Sequence, residues 1–442
     1  MKLLKEKSKI KKSQKIIEKE KEKIKQIKKK IKEKKLNQNK FYKFIKSIFI
    51  LEDSSNISIK SQIFSMLYFE LIGFILCLLF LFALSGGKNY IKLYKDLNKL
   101  INVYDTITSN YYGTLNKQEI IDKAIDAMLE ETGDKFTTYT NKEETQEFLE
   151  NVSGTYEGIG CTVGMDKDNN IYIISVFENT PAEKAGLKEN DIILSIDGES
   201  YKGKTSSDMS NYVKNNTNEK IKLTIKRNNE EIELTIIREK VEMPTIESKI
   251  LEQENKKIGY IQISLFTSVT SNQFKKALTK LEKENIQALI IDVRNNSGGY
   301  LNTATNITSM FLKKGKIIYQ LENNKKIEKI KDNTKDYRTY PIAVLINTTS
   351  ASASEILASA IKESYGGYVV GVNSYGKGTV QKTKKLKDGS MIKYTVQKWL
   401  TPNGNWIEKK GVSPTNPVAL DPNSEKDTQL QQALDILTEK VQ

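Results

Sequence analysis

Histidine is absent from all 442 residues and cysteine occurs only twice, at Cys77 and Cys161. Without imidazole a serine hydrolase cannot use a Ser-His-Asp arrangement, so any serine nucleophile needs another base. No histidine can ligate zinc, and two distant cysteines cannot make a site. No metal or organic cofactor is implied. The two cysteines are not expected to pair either, which leaves size to supply stability in place of a disulfide. Basic excess is missing from most of the chain as well. Residues 1–60 hold 21 lysines against seven acidic residues and so account for +14 of the formal net charge of +15. The remainder is nearly neutral, and nothing indicates a nucleic-acid module.

Residues 1–40 read as a lysine-rich helical stretch with Ile17, Ile24, Ile27 and Ile31 on one face. The plain reading is a solvated arm, and contact with anionic lipid is the alternative. From Leu71 to Gly87 no residue is charged, and extension back to Ile63 adds only Glu70. Twenty-three of these residues, as helix, already reach roughly 35 Å against a hydrocarbon core of about 30 Å, so a single transmembrane helix is expected at 63–87. The charge bias then places residues 1–62 in the cytoplasm and everything after about residue 88 outside the cell membrane. A cleavable signal peptide, favoured by Ala83, Ser85 and Gly86, is opposed by the long charged leader.

Helical spacing at Leu97, Leu100, Ile101, Tyr104 and Ile107, and again at Ile120, Ile121, Ala124 and Met128, predicts short helices over 90–150. Tyr111-Tyr112-Gly113 and Thr132-Gly133-Asp134 break them. Beyond residue 242, apolar runs at 258–265, 288–293, 342–346 and 368–372 alternate with helical runs at 271–284, 301–312 and 353–364, the pattern of an α/β core. Ser352, in SASASEI, falls between a strand and the helix after it. The helix N-terminus brings partial positive charge to the place where an attacked carbonyl becomes negative. The Ala353 N–H is one candidate oxyanion donor and Gly298, in NNSGG, the second. Ser350 or Ser354 could equally cap the helix, and NNSGG could be an ordinary turn. Lys377, in GKGTVQ, can serve as a base once burial keeps its amine neutral. Gln381 stands four positions on, on the same face if a strand runs through both, and can orient the amine without adding a charge.

Four blocks in order, YEGIG at 156–160, DVRNNSGG at 292–299, NTTSASASEI at 347–356 and GKGTVQ at 376–381, resemble the carboxyl-terminal processing proteases. Two departures are Ser297, where that family has proline, and Gly411-Val-Ser-Pro414-Thr415, where it ends in aspartate. The resemblance implies a Ser352–Lys377 dyad with Gln381 holding Lys377, and it favours Ser352 over its neighbouring serines. It implies an α/β core of the crotonase-like or ClpP-like kind, with an inserted PDZ domain and an N-terminal helical segment that helps subunits associate, to which the apolar run adds the single transmembrane helix. Within 152–241, TPAEKAGLKENDIILSIDGE resembles a PDZ domain, with Gly158-Ile159-Gly160 as the loop that binds a peptide carboxylate. The expected order is a basic tail at 1–62, the span at 63–87, helices at 90–150, the PDZ domain at 152–241, the protease core at 242–420 and a C-terminal tail at 421–442. The implied activity is serine endopeptidase action on proteins or peptides with free C-termini. A PDZ adaptor without activity and a crotonase-like acyl-CoA enzyme are the alternatives.

Overall fold

The segments ALIID and IAVLI are apolar at nearly every position, which a strand tolerates only when both of its faces are covered. The computed structural model places them as the strands Ala288–Asp292 and Ile342–Ile346, buried at every residue. The structure describes residues 59–84 and 90–441 except residue 325, with a few helical positions between 21 and 32. A six-stranded sheet runs in the order Ile246–Gln253, Lys256–Ile263, Ala288–Asp292, Ile342–Ile346, Tyr368–Gly371 and Asn416–Pro417. The first pair is antiparallel and the rest are parallel.

Alternation along the strands sorts side chains between two cores. Leu289, Ile291, Val344 and Ile346 join Phe274, Phe311, Ile356 and Leu357 on one face. Ala288, Ile290, Ala343 and Leu345 meet Ala433 and Leu437 on the other. The last two belong to helix Thr428–Lys440, so the segment expected as a tail supplies the second cover of the sheet. A second, antiparallel sheet combines Thr138–Thr140, Ile317–Asn323, Lys326–Lys331, Thr379–Lys385 and Met391–Leu400.

Residues 155–242 leave and re-enter this core through a two-stranded ribbon, Thr155–Gly158 against Glu239–Glu242. The inserted sheet follows the order Cys161–Met165, Ile171–Val176, Ile192–Ile196, Lys220–Arg227 and Glu230–Ile237. Asp197 and Gly198 both take positive φ in a tight turn, and Asn228-Asn229 makes a second such turn. All of these elements lie within one unit, residues 116–442; residues 1–115 form the other.

Residues 1–115 include the helices Ile59–Leu84 and Tyr90–Asn110. Among the described residues no helix is long and apolar enough to cross a membrane. This corrects the expected transmembrane helix at 63–87. The helix Ile59–Leu84 has Lys60, Ser61, Gln62, Ser65 and Glu70 in its first half. From Leu71 to its end it covers about 21 Å, short of a hydrocarbon core of about 30 Å. The described helix holds only 14 residues from Leu71 to Leu84, fewer than the uncharged run Leu71–Gly87 of the sequence. Ser85, Gly86 and the isoleucine face at Ile17, Ile24, Ile27 and Ile31 lie outside the described residues.

Candidate active site

Two loops emerge from the C-terminal ends of the adjacent parallel strands Ala288–Asp292 and Ile342–Ile346, where ligands of open α/β sheets gather. Buried Asn296 ties them together. Its carbonyl accepts from Ala351 N at 3.1 Å and Ser354 Oγ at 2.9 Å, and its Nδ2 donates to the Ile263 carbonyl at 2.7 Å. Ser352 caps helix Ala353–Ala360 at φ 54°, ψ −111°. Positive φ at a residue with a Cβ is costly and persists only where its surroundings hold it.

Glu355 provides that hold. Its carboxylate is fully buried and accepts from Ser352 N at 2.8 Å, Lys377 N at 3.0 Å, Gly376 N at 2.7 Å and Ser374 Oγ at 2.6 Å. One side chain thus bonds the backbones of the candidate nucleophile and the candidate base. Burial drives its pKa above the ordinary glutamate value, and the four hydrogen bonds pull against that rise.

Gly298 lies directly against Ser352. A Cβ built there would stand 2.7 Å from the Ala351 carbonyl oxygen, 2.9 Å from Ser352 Cβ and 3.1 Å from Ala353 N, and φ is 108°, so only glycine fits. Ser352, Ala353 and Gly298 are therefore brought together. The Ala353 N–H has no acceptor among the described residues. The Gly298 N–H, expected as the second oxyanion donor, instead donates to Asn296 Oδ1 at 2.8 Å. The Gly299 N–H beside it has no acceptor among the described residues.

Lys377 is half-buried, with Nζ 4.5 Å from the centre of the Phe136 ring. Burial above all, then the charge of Lys393, lowers its pKa; Asp134, Glu355 and Glu408 oppose this more weakly. Gln381 is not hydrogen-bonded to Lys377. Its Nε2 donates to Thr379 Oγ1 at 2.9 Å and Thr395 Oγ1 at 3.1 Å. The even-spacing argument fails here because the strand begins only at Thr379 and its register shifts between Val380 and Gln381.

The model of peptidase family S41 matches residues 257–418, a PDZ domain matches 158–237, and the activating protease CtpB N-terminal domain matches 84–144. The carboxy-terminal processing protease CtpB of Bacillus subtilis (strain 168) is 39% identical over 324 residues, 73% of this chain and 67% of its own length. The chain belongs to the carboxy-terminal processing proteases of peptidase family S41. A Staphylococcus aureus (strain MRSA252) protein named "Probable CtpA-like serine protease" is 37% identical over 322 residues, 72% of this chain and 64% of its own length. The chain thus covers less than two thirds of the staphylococcal relatives. A solved structure, the photosystem II D1 C-terminal processing protease, matches at 25% identity over 80% of this chain and 92% of that one, with a TM-score of 0.46.

In the PDZ domain, Gly158-Ile159-Gly160 enters the edge strand Cys161–Met165. The Ile159 N–H has no acceptor among the described residues, and the Gly160 N–H faces the Tyr156 hydroxyl. Gly160, at φ 90°, leaves no room for a Cβ, which would meet Thr180 Cβ at 2.3 Å. A groove of about 930 Å³ is lined by Ile159, Val163 and Phe177 and by Met209 and Val213 of helix Ser206–Asn215. Cys161 also lines it, but burial pushes this thiol up to about 12, so it stays protonated and a poor nucleophile.

Sequence reasoning missed Glu355, Asn296, Phe136 and Asp134. Glu355 was visible only as the acid in SASASEI, three residues after a serine, the spacing of a capping box. The other three make the contacts that matter to the site with residues distant in sequence: Asn296 with Ile263 and Ser354, Phe136 with Lys377 and Asp134 with Thr395.

Proposed function

We propose that the chain is a serine endopeptidase that binds C-terminal tails in its PDZ groove and cuts them with a Ser352–Lys377 dyad. The observation that carries this reading is Glu355, which fixes Ser352 N and Lys377 N with one carboxylate. Neutral Lys377 takes the Ser352 proton as Oγ bonds to the scissile carbonyl carbon. The resulting oxyanion lies at the helix N-terminus, toward the Ala353 N–H and the Gly298–Gly299 turn. Lys377 returns the proton to the amine as the C–N bond breaks, and water then hydrolyses the ester on Ser352. In the PDZ domain a tail adds as a strand beside Cys161–Met165, its carboxylate on the Gly158-Ile159-Gly160 loop and its last apolar side chain in the groove.

The test incubates the full chain and its Ser352→Ala variant with an unstructured protein ending in apolar residues. Fragments formed by the native chain alone support the reading. Binding without cleavage by the native chain would mark an adaptor and overturn it.

A further inference from the structure

The turn between helix Lys117–Glu130 and strand Thr138–Thr140 meets Lys377 through Phe136 and Thr395 through Asp134. Phe136 covers the Lys377 amine at 4.5 Å. Two residues earlier, Asp134 accepts from Phe136 N at 3.0 Å, from Thr137 Oγ1 at 2.7 Å and from Thr395 Oγ1. An ionised carboxylate offers only lone pairs, so the single hydroxyl proton of Thr395 is committed to Asp134. The Thr395 oxygen then has only lone pairs to show Gln381. Gln381 answers with Nε2, at 3.1 Å to Thr395 Oγ1 and 2.9 Å to Thr379 Oγ1. Both amide protons are thereby taken. Among the described residues Gln381 Oε1 has no donor and Lys377 Nζ has no hydrogen-bond partner.

We infer that Asp134 is a positioning residue of the Ser-Lys centre: through Thr395 it fixes the Gln381 amide so that Oε1, not the NH2 group, is offered to the Lys377 amine. This rests on reading Lys377 as the base. An amine that donates one N–H to Oε1 keeps its lone pair for the Ser352 proton, whereas a flipped amide would compete for that lone pair. The Asp134–Phe136 turn is then part of the catalytic centre, although it lies more than 200 residues before Ser352 in sequence.

Asp134→Asn tests the relay with little change of shape. The rigid Phe136 N–H keeps the asparagine oxygen at its present partner, so the new NH2 group faces the two threonines. Thr395 then loses the acceptor that committed its proton, its hydroxyl is free to donate to Gln381, and the amide is no longer held in one orientation. Plateau kcat/KM should fall about 30-fold or more, as for a misoriented catalytic group. Asp134 also works against the low pKa of Lys377, so its neutralisation should move the rising limb of the pH profile to lower pH.

Thr395→Val should lose a similar factor without moving the limb, since the Asp134 charge stays. Thr395→Ser, which restores the hydroxyl, should recover to within about threefold of native. The double variant should be no worse than either single one, the sign of a shared path. If Asp134→Asn fails to fold, the valine and serine variants decide. Native-like activity of Thr395→Val, or failure of Thr395→Ser to recover, overturns the relay while cleavage by the native chain still stands. Loss of the underlying reading would look different, with the native chain and Ser352→Ala equally inactive.

Discussion

Glu355→Gln keeps the shape of the side chain that joins the two catalytic loops while removing half of its accepting capacity. Oε2 receives two backbone N–H groups, from Ser352 at 2.8 Å and Lys377 at 3.0 Å, and Oε1 receives Gly376 N at 2.7 Å and Ser374 Oγ at 2.6 Å. Glutamine satisfies the most donors with its oxygen toward Ser352 and Lys377. Ser374 can turn its hydroxyl to accept, but the Gly376 N–H cannot turn. One buried N–H is left facing an NH2 group, which costs about 1–3 kcal/mol, and the surviving bonds lose their charge assistance. The amide also escapes the burial that raises the Glu355 pKa, so the net loss should be about 1–3 kcal/mol. That corresponds to a Tm lower by ~2–4 °C per kcal/mol. Gly376 adjoins Lys377, so its displacement should lower kcat/KM by about 100-fold. Thermal unfolding followed by tryptophan fluorescence, with peptide cleavage alongside, measures both. Unchanged Tm and kcat/KM in Glu355→Gln would refute the account of how the two loops are joined.

Lys377→Arg should lose at least about 100-fold in kcat/KM, because guanidinium stays protonated and cannot accept the Ser352 proton. Native-like turnover would remove Lys377 as base. Activity of the native chain should rise with pH through a limb below the ordinary lysine value of about 10.4, since the neutral amine is the working form and burial lowers its pKa. Lys393→Met removes a charge that helps lower that pKa, so the limb should move to higher pH; a fixed limb would show that it belongs to another group. Amidation of a substrate's C-terminus removes charge-assisted bonds worth about 1.5–3 kcal/mol each, so cleavage of limiting substrate should slow by about tenfold or more. Equal rates for acid and amide would show that the Gly158-Ile159-Gly160 loop does not read the tail.

What the sequence disclosed followed from local rules. Continuous apolar runs marked the parallel strands, and Asp197-Gly198 marked a hairpin turn. The serine and alanine run placed Ser352 at the start of a helix. What it hid depended on tertiary contacts. Asp134 meets Thr395 across 261 positions, and no periodicity announces such a pair. Lys326–Lys331 is mostly charged and exposed, so it offers no strand pattern. The register shift at Gln381 broke a face argument that a regular strand would have obeyed. Apolar composition over 63–87 suggests a membrane span, yet Lys60, Glu70 and the polar residues between them leave no described helix long and apolar enough to cross a membrane.

The most direct test of the central claim is the mass of the enzyme during turnover. The native full chain, mixed with excess substrate and quenched in acid, should carry the N-terminal fragment of the substrate as an ester, and peptide mapping should place it on Ser352. An adduct on Ser350 or Ser354, or turnover that persists in Ser352→Ala, would contradict the account.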